Sequence, residues 1–260
     1  MIKSPTEAGR VVVKVGTSTL AHPTGLLNIQ RTERLVKVLS DLKNAGKEII
    51  IVTSGAIGVG MGKAGLKQRP SDTPRKQACA AIGQCELMYC YDKYFSEYNH
   101  AVAQVLLTRD VVDSPVRKQN VINTFQSLLQ FGVIPIINEN DTVAVEEIEF
   151  GDNDTLSAIV AGLTGADLLV ILSDIDGVYD QNPRTHPEAR LIPRIPAITD
   201  EVRALAGDKG SGLGTGGMIT KFSATQIALE NGIPVVIMNG SAPERLYDLF
   251  DGRQVGTYIG

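Results

Sequence analysis

Six runs along the chain are rich in apolar, mostly β-branched residues: VVVKVG (11–16), EIIIVTSG (48–55), VAQVLLT (102–108), VIPIINEN (133–140), DLLVILSD (167–174) and PVVIMNG (234–240). Most are continuously apolar rather than alternating, which suits strands covered on both faces. Helix-length segments separate them. In the clearest, Leu35, Val38, Leu39 and Leu42 recur at i, i+3, i+4 and i+7, and Gly46 is placed to end the helix. Further helices are expected at 75–97, 116–131, 155–164 and 218–231, the last stopping at Gly232. Strands alternating with helices over short connections predict right-handed crossovers and an α/β fold, a three-layer αβα sandwich around a mostly parallel sheet. Residues 175–217 form a less regular insertion containing Pro183, Pro187, Pro193 and Pro196. Neither a linker nor an internal repeat is evident, so one domain over residues 1–260 is expected.

Composition narrows the function classes. A net charge of -4 argues against a general nucleic-acid surface, which needs a basic excess to neutralise phosphates. No apolar run approaches the roughly 18 residues needed to span a bilayer. The opening MIKSPTEAGRVVVKVG has no apolar stretch of signal-peptide length. A cytoplasmic protein without membrane contact is therefore expected. Cys79, Cys85 and Cys90 are odd in number and show no CxxC spacing, so neither a disulfide framework nor a zinc site is indicated.

Polar residues gather at the ends of the strands. In open parallel sheets ligands bind beyond the carboxyl ends of the strands. Lys14 with Gly16, Ser54 with Gly55, Asn138 to Asp141, and Ser173 with Asp174 all fall there, so four strands deliver polar groups to one edge. Lys14 lies inside an apolar run. An unpaired buried ammonium is costly, so it must reach the strand end and meet anions, or else pair with a core carboxylate. The segment GSGLGTGGMITK (210–221) is the strongest phosphate-binding candidate: its glycines admit backbone N–H groups, a helix follows, and Lys221 adds a cation. Gly212, Gly214 and Gly217 spell GxGxxG, but no strand precedes them, and GxxxxGK[ST] is not matched. A Gly-rich surface loop is the competing reading. TSGAIGVGMG (53–62) presents either N–H groups to a substrate or a turn kept small for packing.

The stretch INENDTVAVEEIEFGDNDTLSA (137–158) crowds Glu139, Asn140, Asp141, Asp152, Asn153 and Asp154 into two turns. Helix capping explains one of the last three. The surplus is expected where a cationic amine is recognised, or where lysines are held around a transferred phosphate. Two lysines and a glycine loop opposite amides and carboxylates describe phosphoryl transfer, in which alignment and charge neutralisation do most of the catalysis and Mg²⁺ bridges phosphate oxygens.

VVVKVGTSTL, IVTSGAIGVG, PIINENDTV, FGDNDTLSA, LSDIDGVYDQNP and GTGGMITK occur in order, and together they resemble the glutamate 5-kinases of the amino-acid kinase family. The resemblance runs through nearly the whole chain to the closing VGTYIG. It implies ATP-dependent phosphorylation of the γ-carboxylate of L-glutamate, the first step toward proline. It also implies that Lys14 and Lys221 stabilise the transferred group, that Asp174 organises them, and that Asp154 helps to position them. Ser54, Gly55, Asp141 and Asn153 would bind glutamate, with Asp141 on the α-ammonium. Lys14, Gly16, Ser173, Asp174 and the run Thr215, Gly216, Gly217, Met218, Ile219, Thr220 and Lys221 would line the ATP site. Mg²⁺ would be held mainly by the nucleotide phosphates and not by a protein ligand set. Family properties further imply a homo-oligomer (dimer or tetramer), inhibition by proline, and hand-over of the labile acyl phosphate to glutamyl phosphate reductase. The PUA-type C-terminal domain of many members is not expected here. The rival readings are a relative with another carboxylate, carbamate or phosphate acceptor, and a non-catalytic glutamate or proline sensor. A dinucleotide-dependent oxidoreductase fits poorly, because VKVGTSTL lacks a Gly-rich turn.

Overall fold

The computed structural model describes residues 4–22, 24–144, 152–183, 185–205 and 217–260. Its strands are β1 (Arg10–Val15), β2 (Glu48–Val52), β3 (Val102–Leu107), β4 (Ile134–Glu139), β5 (Leu168–Ser173), β6 (Arg194–Ile195), β7 (Val235–Asn239) and β8 (Thr257–Ile259). The helices are α1 (Thr17–Leu20), α2 (Ile29–Asn44), α3 (Ala56–Lys63), α4 (Thr73–Ser96) and α5 (Arg109–Asp113). They continue with α6 (Pro115–Gln130), α7 (Asn153–Thr164), α8 (Asp200–Ala204), α9 (Met218–Glu230) and α10 (Arg245–Phe250). The strands form one sheet in the order β3-β4-β2-β1-β5-β7-β8-β6. Every pairing from β3 across to β7 is parallel, whereas β8 runs antiparallel to β7 and carries β6 alongside it.

Side-chain alternation along the strands explains the layers. Successive residues of a strand point to opposite faces. Val11, Val13 and Val15 join a core with Leu35 and Leu39 of α2, Leu87 of α4 and Leu246 of α10. Val12 joins a second core with Phe125 of α6, Leu156 of α7 and Phe222 of α9. The sheet is thus buried on both sides, which is why its central strands are continuously apolar. By the same parity Lys14 belongs to the face covered by α7 and α9.

The six expected strands are present to within a few residues, and Gly46 and Gly232 follow their helices at φ +97 and +72, in the left-handed region. Two differences affect the site. Asp152 caps α7 by accepting from the Thr155 N–H at 2.8 Å, so the helix starts at Asn153 rather than 155, and Asn153 and Asp154 lie in its first turn. Secondly, AIGVGMGK forms helix α3 despite its glycines. A Cβ added to Gly60 would lie 1.8 Å from the Cys79 carbonyl oxygen, and one added to Gly83 would lie 1.8 Å from that of Ala56. The small residues therefore let α3 and α4 pack backbone to backbone, as the packing reading of this segment requires.

Candidate active site

Two lysines converge on one buried carboxylate beyond the carboxyl end of β1. Lys14 is the penultimate residue of β1, and Lys221 is in the first turn of α9. Lys14 Nζ lies 2.7 Å from Asp154 Oδ1, and Lys221 Nζ lies 3.0 Å from Asp154 Oδ2. The Thr220 hydroxyl is 3.1 Å from Oδ2. Asp154 is 1% exposed, and the lysines are 8% and 6% exposed. Burial alone pushes the Asp154 carboxyl up, but the two ammonium groups outweigh it and bring the pKa down to about 2. Its place in the first turn of α7, at the positive end of the helix, favours the charged form further. One carboxylate thus holds two ammonium groups together at the carboxyl ends of the strands. Gly16 directly follows β1, and a Cβ there would sit 3.7 Å from Lys14 Nζ, in ordinary contact with it.

The acceptor candidates lie next to this cluster. Asn153 Nδ2 has three oxygens around it: the Thr53 carbonyl at 2.6 Å, Ser54 Oγ at 3.0 Å and Asn138 Oδ1 at 2.8 Å. The amide nitrogen therefore ties the start of α7 to the ends of β2 and β4. Gly55, at φ +93, turns the chain from β2 into α3 beside Ser54. Asp141 follows β4 and lines a cleft of about 440 Å³ with Gln84, Gln104, Glu139, Asn140 and Thr142.

On the other side of β1, the Ser173 hydroxyl is 3.3 Å from Asp174 Oδ1 at the end of β5. Asp176 accepts from Asn239 Nδ2 at 2.9 Å and from the Tyr179 hydroxyl at 3.1 Å, joining this turn to β7. Gly217 caps α9, with Met218, Ile219 and Thr220 in its first turn. Thr215 and Gly216 lie outside the described residues.

The structure thus brings Lys14, Lys221 and Asp154 into direct contact, and Ser54 and Asn153 into a second contact group. The carboxylate seated between the lysines is Asp154, while Asp174 stands at the end of β5 next to Ser173. The sequence offered Thr220 only as part of the ATP-site run and not as a partner of Asp154, and it did not point to the part played by Asn138 and Gln84. Asn138 was legible only as one polar residue in a strand-end cluster, and Gln84 sits mid-helix, where an amide ordinarily reads as part of a solvated face. Among the described residues no group of three His, Cys, Asp or Glu side chains is arranged to hold a metal ion, and no helix is long and apolar enough to cross a membrane.

Known proteins resemble this chain at two levels. It is similar to the glutamate 5-kinase of Clostridium perfringens (strain 13 / Type A), with 52% identity over 99% of this chain and 97% of that protein. The glutamate 5-kinase of Listeria innocua is 54% identical over 99% of this chain and 95% of its own length. Among solved structures, an isopentenyl phosphate kinase of T. acidophilum in its product complex superposes with a TM-score of 0.66 at 19% identity, covering 96% of this chain and all (100%) of that one. The UMP kinase of Bacillus anthracis gives a TM-score of 0.67 at 17% identity over 97% of this chain and 96% of that one. At such identities these two speak for the fold alone. The model of the amino acid kinase family matches residues 9–239, and the chain belongs to that family.

Proposed function

We propose that this chain is an ATP-dependent glutamate 5-kinase, which transfers the γ-phosphoryl group of ATP to the γ-carboxylate of L-glutamate to give L-glutamyl 5-phosphate and ADP, the first step of proline biosynthesis. The naming of relatives at 52 to 54% identity over nearly the full chain supports the acceptor. The single structural observation that carries the chemistry is the buried Asp154 shared by Lys14 and Lys221.

In the reaction a γ-carboxylate oxygen of glutamate forms a bond to the γ-phosphorus. The bond from that phosphorus to the oxygen bridging the β- and γ-phosphates breaks, and its electron pair leaves on ADP. The acceptor is already ionised at neutral pH, so no general base is needed. Lys14 and Lys221 neutralise charge on the oxygens of the group in transfer. Asp154 holds the two ammonium groups near each other; without it they would repel one another in a buried site. Ser54, Gly55, Asp141 and Asn153 orient glutamate, with Asp141 and Asn153 Oδ1 facing the α-ammonium. Gly16, Ser173, Asp174 and residues 215–221 receive the nucleotide. Mg²⁺ bound with the nucleotide would supply further charge neutralisation there. The reading treats residues 1–260 as one amino-acid kinase domain acting in the cytoplasm as a homo-oligomer. It also includes hand-over of the acyl phosphate to a reductase and inhibition by proline; unchanged kinetics at millimolar proline would remove that last part.

The test is ATP consumption with Mg²⁺ and a panel of acceptors: L-glutamate, L-aspartate and N-acetyl-L-glutamate. Consumption that depends on glutamate supports the reading. Consumption with another acceptor in its place would reassign the substrate, and bound glutamate without turnover would favour a sensor.

A further inference from the structure

Four side-chain amides lie in line across the carboxyl end of the sheet, and they all point the same way. Asn153 Nδ2 on α7 donates to Asn138 Oδ1 on β4 at 2.8 Å. Asn138 Nδ2 donates to Gln84 Oε1 on α4 at 2.9 Å, and Gln84 Nε2 donates to Gln104 Oε1 on β3 at 3.0 Å. Asn138 is 2% exposed and Gln84 9% exposed, so turning either amide over would place nitrogen against nitrogen and oxygen against oxygen along the line. Hydrogen bonds aligned head to tail also strengthen one another. α4 holds Gln84 in place because the neighbouring Gly83 is pressed against the Ala56 carbonyl of α3.

We infer that Gln84 is a positioning residue for the acceptor substrate: it fixes the orientation of Asn138 and, through Asn138, that of Asn153, so that Asn153 presents a carbonyl oxygen and not an NH₂ group to the ligand. This rests on the reading of the site as one for L-glutamate, whose α-ammonium needs acceptors. Gln84 touches neither of the lysines nor Asp154 among the described contacts. Its effect is therefore expected first on the acceptor side.

Steady-state kinetics on the full chain test this, with glutamate and ATP varied separately in the unaltered protein, Gln84→Met and Gln84→Glu. Methionine keeps the length and removes the hydrogen bonds, leaving the Asn138 NH₂ without its acceptor. Glutamate KM is expected to rise about tenfold, as for the loss of one hydrogen bond to a charged group of the ligand, with ATP KM within about twofold of the unaltered value. Gln84→Glu still accepts from Asn138 and should recover most of the loss, which a merely structural role for the helix position does not explain. Gln104→Met, at an exposed position, removes only the outer link and should give a smaller rise of the same selectivity; it serves if Gln84→Met does not fold. The inference is overturned if glutamate KM is unmoved, if glutamate and ATP KM rise together, or if Gln84→Glu is no better than Gln84→Met. An unaltered protein that is indifferent to glutamate would overturn the functional reading itself, a separate and visible failure.

Discussion

Replacing Asp154 with asparagine removes one negative charge from between two buried ammonium groups while keeping the shape of the side chain. Lys14 and Lys221 lie 2.7 and 3.0 Å from its two oxygens. A carboxyl held at about 2 instead of its ordinary 3.8 corresponds to about 2 to 3 kcal/mol favouring the charged form. Stranding the partners of a buried ion pair costs about 3 to 5 kcal/mol in other systems. A destabilisation of roughly 2 to 4 kcal/mol is expected in urea unfolding, and it should carry a pH signature. Because the folded-state pKa is depressed, the contribution is fully present above the unfolded value of about 4 and is lost as pH falls towards 2. The unaltered protein should therefore lose stability over that window more steeply than Asp154→Asn, and the two curves should converge at the acid end. Turnover should fall by about 100-fold or more, since the lysines lose the group that holds them where charge develops. A variant with near-normal kcat, or one whose stability gap to the unaltered protein persists unchanged to pH 2, would refute the reasoning.

Lys14→Ala and Lys221→Ala should each lower kcat by about 100- to 1000-fold while nucleotide binding persists, as checked by turnover and calorimetry; either variant retaining full turnover would remove that lysine from the chemistry. Gly83→Ala places a Cβ 1.8 Å from the Ala56 carbonyl, so α3 and α4 must separate, and urea titration should show a loss of about 1 to 3 kcal/mol or more. Gly55→Ala forces a side chain into a backbone at φ +93 with Thr17 Cγ2 3.1 Å away; about 1 to 2 kcal/mol of stability should go, together with a raised glutamate KM.

The central sheet was legible because parallel strands buried on both faces read as continuous apolar runs. β6 and β8 were not, since two or three residues, Arg194–Ile195 and Thr257–Ile259, are too few to show a period. α3 was obscured by glycines, which weaken helix propensity but which the close crossing with α4 demands. In the site, Lys14 stood out as the one cation in an apolar strand, and Lys221 through the glycine-rich stretch before it. Which carboxylate falls between them was not readable from spacing. That depends on the phase of α7, set when Asp152 takes the cap and turns Asp154 towards β1. The amide line is less legible still. Gln84, Gln104, Asn138 and Asn153 are separated along the chain, and only the sheet order β3-β4-β2 and the placement of α4 bring them together.

The most direct test of the account is to trap the acyl phosphate. The purified protein would be supplied with ATP, Mg²⁺, L-glutamate and hydroxylamine, and hydroxamate would be followed beside a Lys221→Ala control. The account predicts glutamate-dependent hydroxamate matched to ADP formed, and its near-complete loss in the control. ADP without hydroxamate, or hydroxamate formation that survives in Lys221→Ala, would contradict it.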